Sequence, residues 1–255
     1  MEMTNLKEFV NKLSPNLKAL MQKFEDLGFE IRIVGGAVRD LMMGEVPRDI
    51  DLATNAQPTE IMFIVNEEFK DIHAMTAWGI RHGTVVIAFS ELEQYEVTSL
   101  DFRIEKRGNR IIVSQHADWK EDAFERDFTV NTMSVDKSGN LYDYMNAKYD
   151  IEKQEIKFVS KDIERSIKRD PVLIFRFFKL VAKFPNPKYD KKILSIISNN
   201  LSSLEKVRSD TIKWFIASIR MQKFGQKAFS LMDEVGLDFE SFVESTFNAY
   251  LKKIY

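Results

Sequence analysis

Apolar residues recur at helical spacing between Leu6 and Leu27, and Gly28 follows the last of them. This pattern predicts one or two amphipathic helices at the start of the chain. Short strands are predicted next, because several segments alternate apolar and polar residues: Phe29–Val34, Asp49–Ala53, Thr84–Phe89 and Tyr95–Leu100. Helix-like segments lie between some of these strands, so the first part of the chain is expected to mix helices with a sheet.

From Ile156 onward the alternation disappears and apolar helical stripes take its place. Asp170 suits an N-cap and Pro171 the first turn of a helix. Further helices are predicted after Ser209, before Gly236 and at Phe239–Ile254. We therefore predict an α+β fold, with a small mixed-sheet domain over residues 1–150 and an all-helical domain over residues 151–255. The polar segment 146–154 is the predicted boundary.

Composition excludes several classes of protein. The 255 residues are 44% hydrophobic and contain no cysteine. Disulfides, thiolate metal sites and cysteine nucleophiles are thereby excluded, and a reducing compartment, the cytoplasm, is favoured. The chain begins without the apolar run of a secretory signal, and its apolar stretches fall far short of the roughly 20 residues that span a bilayer. No membrane association is expected. The histidines, His73, His82 and His116, lack zinc-site spacing.

Charge is divided unevenly along the chain. Residues 1–150 hold 17 basic and 26 acidic side chains, a net −9, whereas residues 151–255 hold 20 and 13, a net +7. A basic domain is typical of a protein that binds a polyanion such as nucleic acid. Solvent-exposed helix faces would account for the same excess of basic residues, so charge alone does not decide between polyanion binding and exposed helix faces. Trp78, Trp119 and Trp214 are expected in the core rather than on a base-stacking surface.

A candidate phosphate-binding turn follows the first predicted strand. Gly35 and Gly36 lie between that strand and a helix-like segment, Ala37–Met43, so backbone amides at a helix start would face an approaching anion. Arg39, in the first turn of this helix, can reach a phosphate oxygen with its planar set of donors. Two adjacent glycines are weak evidence alone, because strand-to-helix turns often need them for geometry.

A candidate metal site follows about a dozen residues later. Asp49 and Asp51 flank Ile50 in a predicted strand, so both carboxylates project from one face while Ile50 and Leu52 point into the core. Carboxylates suit Mg²⁺, and two such ions would stabilise an in-line displacement at phosphorus. The alternative is a solvent-facing strand edge. Glu96, on a nearby strand, is the candidate third carboxylate.

Further motifs occur in a fixed order after these: HGTVVI, EVTSLDFR, DAFERDFTVNT and RDPVLIFRFFKL. Together with GGAVRDLMMG and RDIDLAT, they resemble the class II CCA-adding enzyme and bacterial poly(A) polymerase family of the nucleotidyltransferase superfamily. The resemblance covers roughly residues 29–184. It implies a nucleotidyltransferase catalytic head followed by a helical neck and body that contacts RNA and nucleotide.

The resemblance also implies a role for each matching residue. Asp49 and Asp51 would bind Mg²⁺, with Glu96 as the third catalytic carboxylate. Nucleoside triphosphates, ATP and CTP, would be the substrates, and an RNA, the tRNA 3′ end first, the acceptor. The nucleotide-binding residues would be Gly35, Gly36 and Arg39 at the triphosphate, Arg126, Asp127 and Asn131 at the incoming nucleotide, and Asp170, Arg176 and Lys179 on the helix that reads the base.

Three departures from the family pattern keep alternatives open. Glu125 and Arg169 change the charge at motif positions, and Leu173 replaces an arginine whose donors would bond the base. CCA addition or repair is the first interpretation, and poly(A)-type or other terminal transfer with relaxed base selection is the second. A degenerate RNA-binding regulatory protein is the third, although the retained Asp49, Asp51 and Arg39 argue against it.

Overall fold

The computed structural model describes residues 4–69, 72–75, 83–100, 103–107, 110–114 and 118–237. The chain divides into two compact units, Met1–Ile151 and Glu152–Tyr255. The first combines helices with a sheet, and the described part of the second is helical, so the α+β class predicted from the sequence is confirmed. In the ranges given above, no helix is long and apolar enough to cross a membrane.

The first unit contains nine strands in its described ranges. They are β1 (Ile31–Val34), β2 (Asp51–Thr54), β3 (His73–Met75), β4 (Thr84–Ala88), β5 (Gln94–Ser99), β6 (Arg103–Arg107), β7 (Arg110–Ser114), β8 (Ser134–Val135) and β9 (Leu141–Tyr142). Its helices are α1 (Thr4–Asn11), α2 (Pro15–Asp26), α3 (Gly36–Met42), α4 (Pro58–Glu68), α5 (Trp119–Glu125) and α6 (Ala147–Lys153), with a 3-10 helix at Thr129–Asn131. The predicted boundary segment 146–154 contains all of α6, and the division between the two units falls within this helix, after Ile151.

Seven of these strands form one mixed sheet in the order β3-β4-β5-β2-β1-β8-β9, while β6 and β7 form a separate hairpin. Among the described pairs, β2 and β5 run parallel and the others antiparallel. Leu52 of β2 pairs with Ile33 of β1 on one side and with Val97 of β5 on the other, and all three side chains are fully buried. Side chains alternate between the two faces of a sheet, so the side chain of Asp51, one residue before Leu52, points away from these three buried side chains.

The second unit is built around one apolar helix. Its helices are α7 (Ile163–Arg169), α8 (Leu173–Val181), α9 (Lys192–Asn199), α10 (Ser209–Arg220) and α11 (Gly225–Glu234), with a 3-10 helix at Leu201–Lys206. The apolar side of α8 is buried, and Phe175 stacks on Phe215 of α10 with ring centroids 5.7 Å apart. Burying aromatic faces in this way holds α8 and α10 together.

Several predicted details differ from the structure. Asp49 precedes β2 instead of lying within it, and Ile50 is only half-buried. Asp170 ends α7, and α8 begins at Leu173, two residues later than the Asp-Pro signal indicated. The core expectation is wrong for Trp214, which is 57% exposed, while Trp119 is buried. Other expectations lie outside the described residues, namely those for Trp78, His82, His116 and the helix at Phe239–Ile254.

Candidate nucleotide-binding and metal site

The turn from β1 to α3 depends on glycine at two positions. Gly35 has φ +67°, a left-handed conformation that side chains disfavour. A Cβ atom on Gly35 would lie 3.2 Å from Nη1 of Arg126, and one on Gly36 would lie 3.4 Å from Nη2 of Arg39. The glycines therefore let two guanidinium groups approach the same turn, which the sequence predicted only as a possible phosphate-binding turn.

The Arg39 side chain joins α3 to the 3-10 helix. Its Nε and Nη2 atoms lie 2.8 and 2.6 Å from Oδ1 of Asp40, and Nη1 donates to Oδ1 of Asn131 at 2.6 Å. Asn131 in turn donates to Oδ1 of Asp127 at 3.0 Å. Arg39 is only 8% exposed. Three of the predicted nucleotide-binding residues are thus brought together, in one network that orients the Arg39 guanidinium.

Arg126 is held by a carboxylate one helical turn earlier. Its Nε and Nη2 atoms donate to Oδ2 of Asp122 at 3.1 and 2.8 Å, and both side chains are about four-fifths buried. This arrangement fixes the plane of the guanidinium and directs Nη1 toward Gly35. Sequence reasoning missed Asp122, although its spacing of four residues from Arg126 on a helix was a usable signal.

The carboxylates lie on the sheet beside this turn. In the parallel pair of β2 and β5, Asp51 is directly opposite Glu96, and on its other side Asp51 pairs with Val34, the residue before Gly35. Adjacent strands are about 4.8 Å apart, so these two carboxylates start from neighbouring backbone positions. Asp49 lies two residues earlier, and all three acidic side chains are exposed.

The chemistry of these donors fits Mg²⁺. The ion prefers oxygen ligands and is commonly bound by one or two carboxylates together with water and substrate phosphates. In the part of the chain that the structure describes, no three acidic or histidine side chains are grouped closely enough to hold a metal ion by themselves. Coordination of Mg²⁺ by two of these carboxylates together with water and a triphosphate would agree with the ligand preference of the ion and with the lack of a three-residue ligand group in the described residues.

The other predicted nucleotide-binding residues belong to the second unit. Asp170 accepts a hydrogen bond from the backbone of Val172 at 3.2 Å, and Arg176 is exposed on α8. The Nζ atom of Lys179 lies over the Trp214 ring, 4.9 Å from its centroid. Leu173, expected to replace a base-reading arginine, is 6% exposed and belongs to the core. An arginine at this position would have to leave that core or bring its charge into it.

Together, the glycine turn, two oriented guanidinium groups and adjacent carboxylates on a mixed sheet define a nucleotidyltransferase-type head. Residues 31–157 match the family model described as the poly(A) polymerase head domain. Residues 31–157 therefore belong to this family, which confirms the resemblance identified from the motifs.

Relatives and solved structures agree with this assignment. Human mitochondrial CCA tRNA nucleotidyltransferase 1 is 33% identical over 209 residues, which cover 80% of this chain and 47% of the relative. The CCA-adding enzyme of Lactobacillus johnsonii is 30% identical over 246 residues, covering 94% and 57%. The CCA-adding enzyme of Bacillus stearothermophilus, solved in complex with CTP, superposes with a TM-score of 0.71 at 25% identity, covering 89% and 54%. The chain therefore spans about half the length of these relatives.

Proposed function

We propose that this protein is a template-independent nucleotidyltransferase that adds nucleotides to an RNA 3′ end, with tRNA CCA addition or repair as the first reaction to test. One observation carries the proposal. Asp51 pairs on one side with Val34, the residue before the turn that Arg39 and Arg126 approach, and on the other side with Glu96 of the next strand. Carboxylates for a cation and donors for a triphosphate are what this reaction requires.

The proposed reaction is a displacement at phosphorus. The RNA 3′-hydroxyl loses its proton to solvent as its oxygen forms a bond to the α-phosphorus of the nucleotide, and the bond from that phosphorus to pyrophosphate breaks. Asp49 and Asp51, with Glu96 beside them, would hold Mg²⁺, which supplies positive charge against the negative charge of the triphosphate. The amide of Gly36 and the oriented guanidinium of Arg126 would bind the phosphate oxygens, whereas the amide of Gly35 already donates to the carbonyl oxygen of Met133 at 3.2 Å.

Arg39 and its partners have a positioning role in this proposal. Because Asp40 and Asn131 already accept hydrogen bonds from the Arg39 guanidinium, that group would hold the turn and present its remaining donors to phosphate. Asp127 supports Asn131 from the other side. Asp170, Arg176 and Lys179 are proposed to contribute nucleotide binding from the second unit.

The nucleotides used are also part of the proposal. The Bacillus relative was solved with CTP, and the human and Lactobacillus relatives are named for CCA addition. ATP and CTP are therefore the proposed substrates, and a tRNA 3′ end the proposed acceptor. The cytoplasm is the proposed compartment because the chain contains no cysteine.

A second candidate function rests on Leu173. An apolar side chain cannot donate hydrogen bonds to a base, and here it is buried. Terminal transfer with relaxed base selection, such as addition of A alone, is therefore the alternative. Competition among the four nucleoside triphosphates in one reaction distinguishes it from CCA addition.

The test is incorporation of labelled ATP and CTP into tRNA that lacks its 3′-terminal nucleotides, in the presence of Mg²⁺. Asp51→Asn and Glu96→Gln should each reduce incorporation by about a hundredfold or more, because the charge that holds the cation is lost. Glu91→Gln, an exposed carboxylate before β5, is the matched control and should retain activity. Incorporation that survives in both site variants, or that is absent from the unmodified protein, would contradict the proposal.

A further inference from the structure

An aromatic side chain and several cations meet on the surface of the second unit. Trp214 of α10 is 57% exposed, although a large apolar side chain of this kind is usually covered. The Nζ atom of Lys179, from α8, lies 4.9 Å from the centroid of its ring, within cation–π distance. Lys213 beside it and Arg176, one turn before Lys179, are also exposed. These four residues are called the Trp214 patch.

The position of Trp214 is fixed by the core beneath it. The next residue, Phe215, is buried, and its ring stacks on Phe175 of α8, whose neighbour Arg176 belongs to the patch. The Trp214 ring also meets the Phe215 ring edge to face, with centroids 4.8 Å apart. The indole is therefore held in one place on the surface, so little ordering is required when a ligand binds it.

The charges around the patch favour an anionic partner. Three cations contribute to it, on a part of the chain that carries a net +7. Asp210, one turn before Trp214 on α10, is the acid on the same helix face, and Arg208 lies 3.8 Å from its carboxylate. Ala217, one turn after Trp214, is exposed and adds no charge. An apolar ring bordered by cations matches a nucleobase and its phosphates better than an apolar protein surface.

We infer that the Trp214 patch is a binding site for single-stranded RNA, in which a base stacks on the indole and Lys179, Lys213 and Arg176 meet the phosphates. This rests on the proposed function and names a contact for its acceptor. The patch lies on the second unit, and in this inference Arg176 and Lys179 bind the phosphates of the acceptor RNA instead of the incoming nucleotide.

The inference is tested by binding of a fluorescently labelled, single-stranded RNA to the full chain, measured by anisotropy. Trp214→Ala should weaken binding by about five- to a hundredfold, and Trp214→Phe should restore most of the loss, because base stacking requires only an aromatic face. Met221→Ala, which removes a 65% exposed apolar side chain one residue beyond α10, is the matched control and should bind RNA normally.

The salt dependence of RNA affinity distinguishes the contribution of the cations from that of the Trp214 ring. Lys179→Ala should lower the slope of log affinity against log salt by about 0.7, the contribution of one phosphate contact on a single strand. Trp214→Ala should lower affinity and leave this slope unchanged. Equal thermal unfolding of Trp214→Ala and the unmodified protein would establish that the loss does not come from a damaged core.

Several outcomes would overturn the inference. Unchanged RNA affinity in Trp214→Ala would do so, as would a Phe variant that binds no better than the Ala variant. Loss of self-association, or a lower unfolding temperature, in place of lost RNA affinity would assign the patch to protein contacts. Failure of the proposed function is distinguishable, because RNA binding that depends on Trp214 without any nucleotide addition would leave the patch in place and remove the enzyme activity.

Discussion

Each of the two arginines at the Gly35 turn is paired with a carboxylate close to it in sequence. Arg39 bonds Asp40, and Arg126 bonds Asp122 through two of its nitrogen atoms. A guanidinium that is already oriented loses less side-chain entropy when it binds a phosphate. The half-buried carboxylates of Asp40 and Asp122 therefore set the direction of the two guanidinium groups, while other N–H donors of these arginines remain available for an anion.

Removal of Asp122 should weaken nucleotide binding without abolishing the reaction. In Asp122→Ala, Arg126 loses both charge-assisted hydrogen bonds that fix its plane, so KM for the nucleoside triphosphate should rise about tenfold. kcat should change much less, because the carboxylates on β2 and β5 are untouched. Steady-state kinetics with varied nucleotide checks this, and exposed Lys120, substituted by Ala on the same helix, is the control. A fall in kcat at unchanged KM would contradict this role.

A side chain at Gly35 should impair both stability and binding. Gly35→Ala places an L-residue at φ +67° and ψ −126°, a sparsely populated conformation that costs about 1–3 kcal/mol, and brings Cβ to 3.2 Å from Arg126. Gly28→Ala is the matched control, because Gly28 has φ +85° and nothing within 4 Å of the added atom. Urea unfolding should show a loss in both variants, whereas nucleotide titration should show weaker binding only in Gly35→Ala. Equal nucleotide affinity in the two would remove the proposed link to Arg126.

The site could be predicted from the sequence where local spacing fixes geometry. The glycine pair, Arg39 and the Asp-x-Asp motif all lie within one strand-turn-helix-strand segment, so their association needed no long-range information. The pairing of Asp51 with Glu96 depends on a parallel register between β2 and β5, which are separated by α4 and two further strands. Position on a nearby strand made Glu96 only a candidate, and the family resemblance implied its role, since no periodicity within either strand specifies the register.

A cluster of hydrogen-bonded polar side chains links the start of α2 to β5. Ser14 caps α2 by accepting from the amide of Leu17 at 3.0 Å, and its hydroxyl donates to Glu93 at 2.5 Å. Asn16 and Tyr95 donate to the same carboxylate at 2.8 and 2.9 Å. The hydrogen bond from Ser14, aided by those from Asn16 and Tyr95, lowers the pKa of Glu93 below its ordinary value of 4.5, although burial acts to raise it.

This pKa shift makes part of the stability depend on pH. Because the pKa of Glu93 is lower in the folded protein than in the unfolded chain, its contribution is complete above about pH 4.5 and is lost as pH falls through the folded value. Glu93→Gln should therefore reduce the free energy of unfolding at about pH 6 and matter much less at about pH 3.5. Urea unfolding at both pH values measures this, with Glu91→Gln as control. If Glu93→Gln lost the same free energy of unfolding at both pH values, the proposed dependence of stability on the pKa of Glu93 would be contradicted.

Helix boundaries show where element-level prediction stops. Asp170 and Pro171 resemble a helix start, yet Asp170 ends α7 and α8 begins at Leu173. The signal is real, but the chain uses it for a tight turn between two helices, which a one-dimensional pattern does not distinguish from a cap. The exposure of Trp214 is not predicted by the sequence for a related reason. Apolar periodicity predicts a helix, whereas the exposure of one side chain on that helix depends on which neighbouring elements cover it.

For the whole molecule, the charge division gains a physical interpretation. The acidic first part contains the carboxylates proposed to bind the cation, and the basic second part contains the Trp214 patch proposed to bind RNA. The length adds a constraint, because the chain spans about half of each relative described here. Within these 255 residues, the contacts proposed for an RNA acceptor come from these two units.

The most direct test of the central claim is to sequence the 3′ ends of tRNA incubated with the protein, Mg²⁺ and all four nucleoside triphosphates. The proposed function predicts ends that gain C and then A, or A alone if the buried Leu173 has relaxed base selection. It also predicts no added nucleotides with the Asp49→Ala/Asp51→Ala double variant. Unextended ends with the unmodified protein, or equal extension by the double variant, would contradict it.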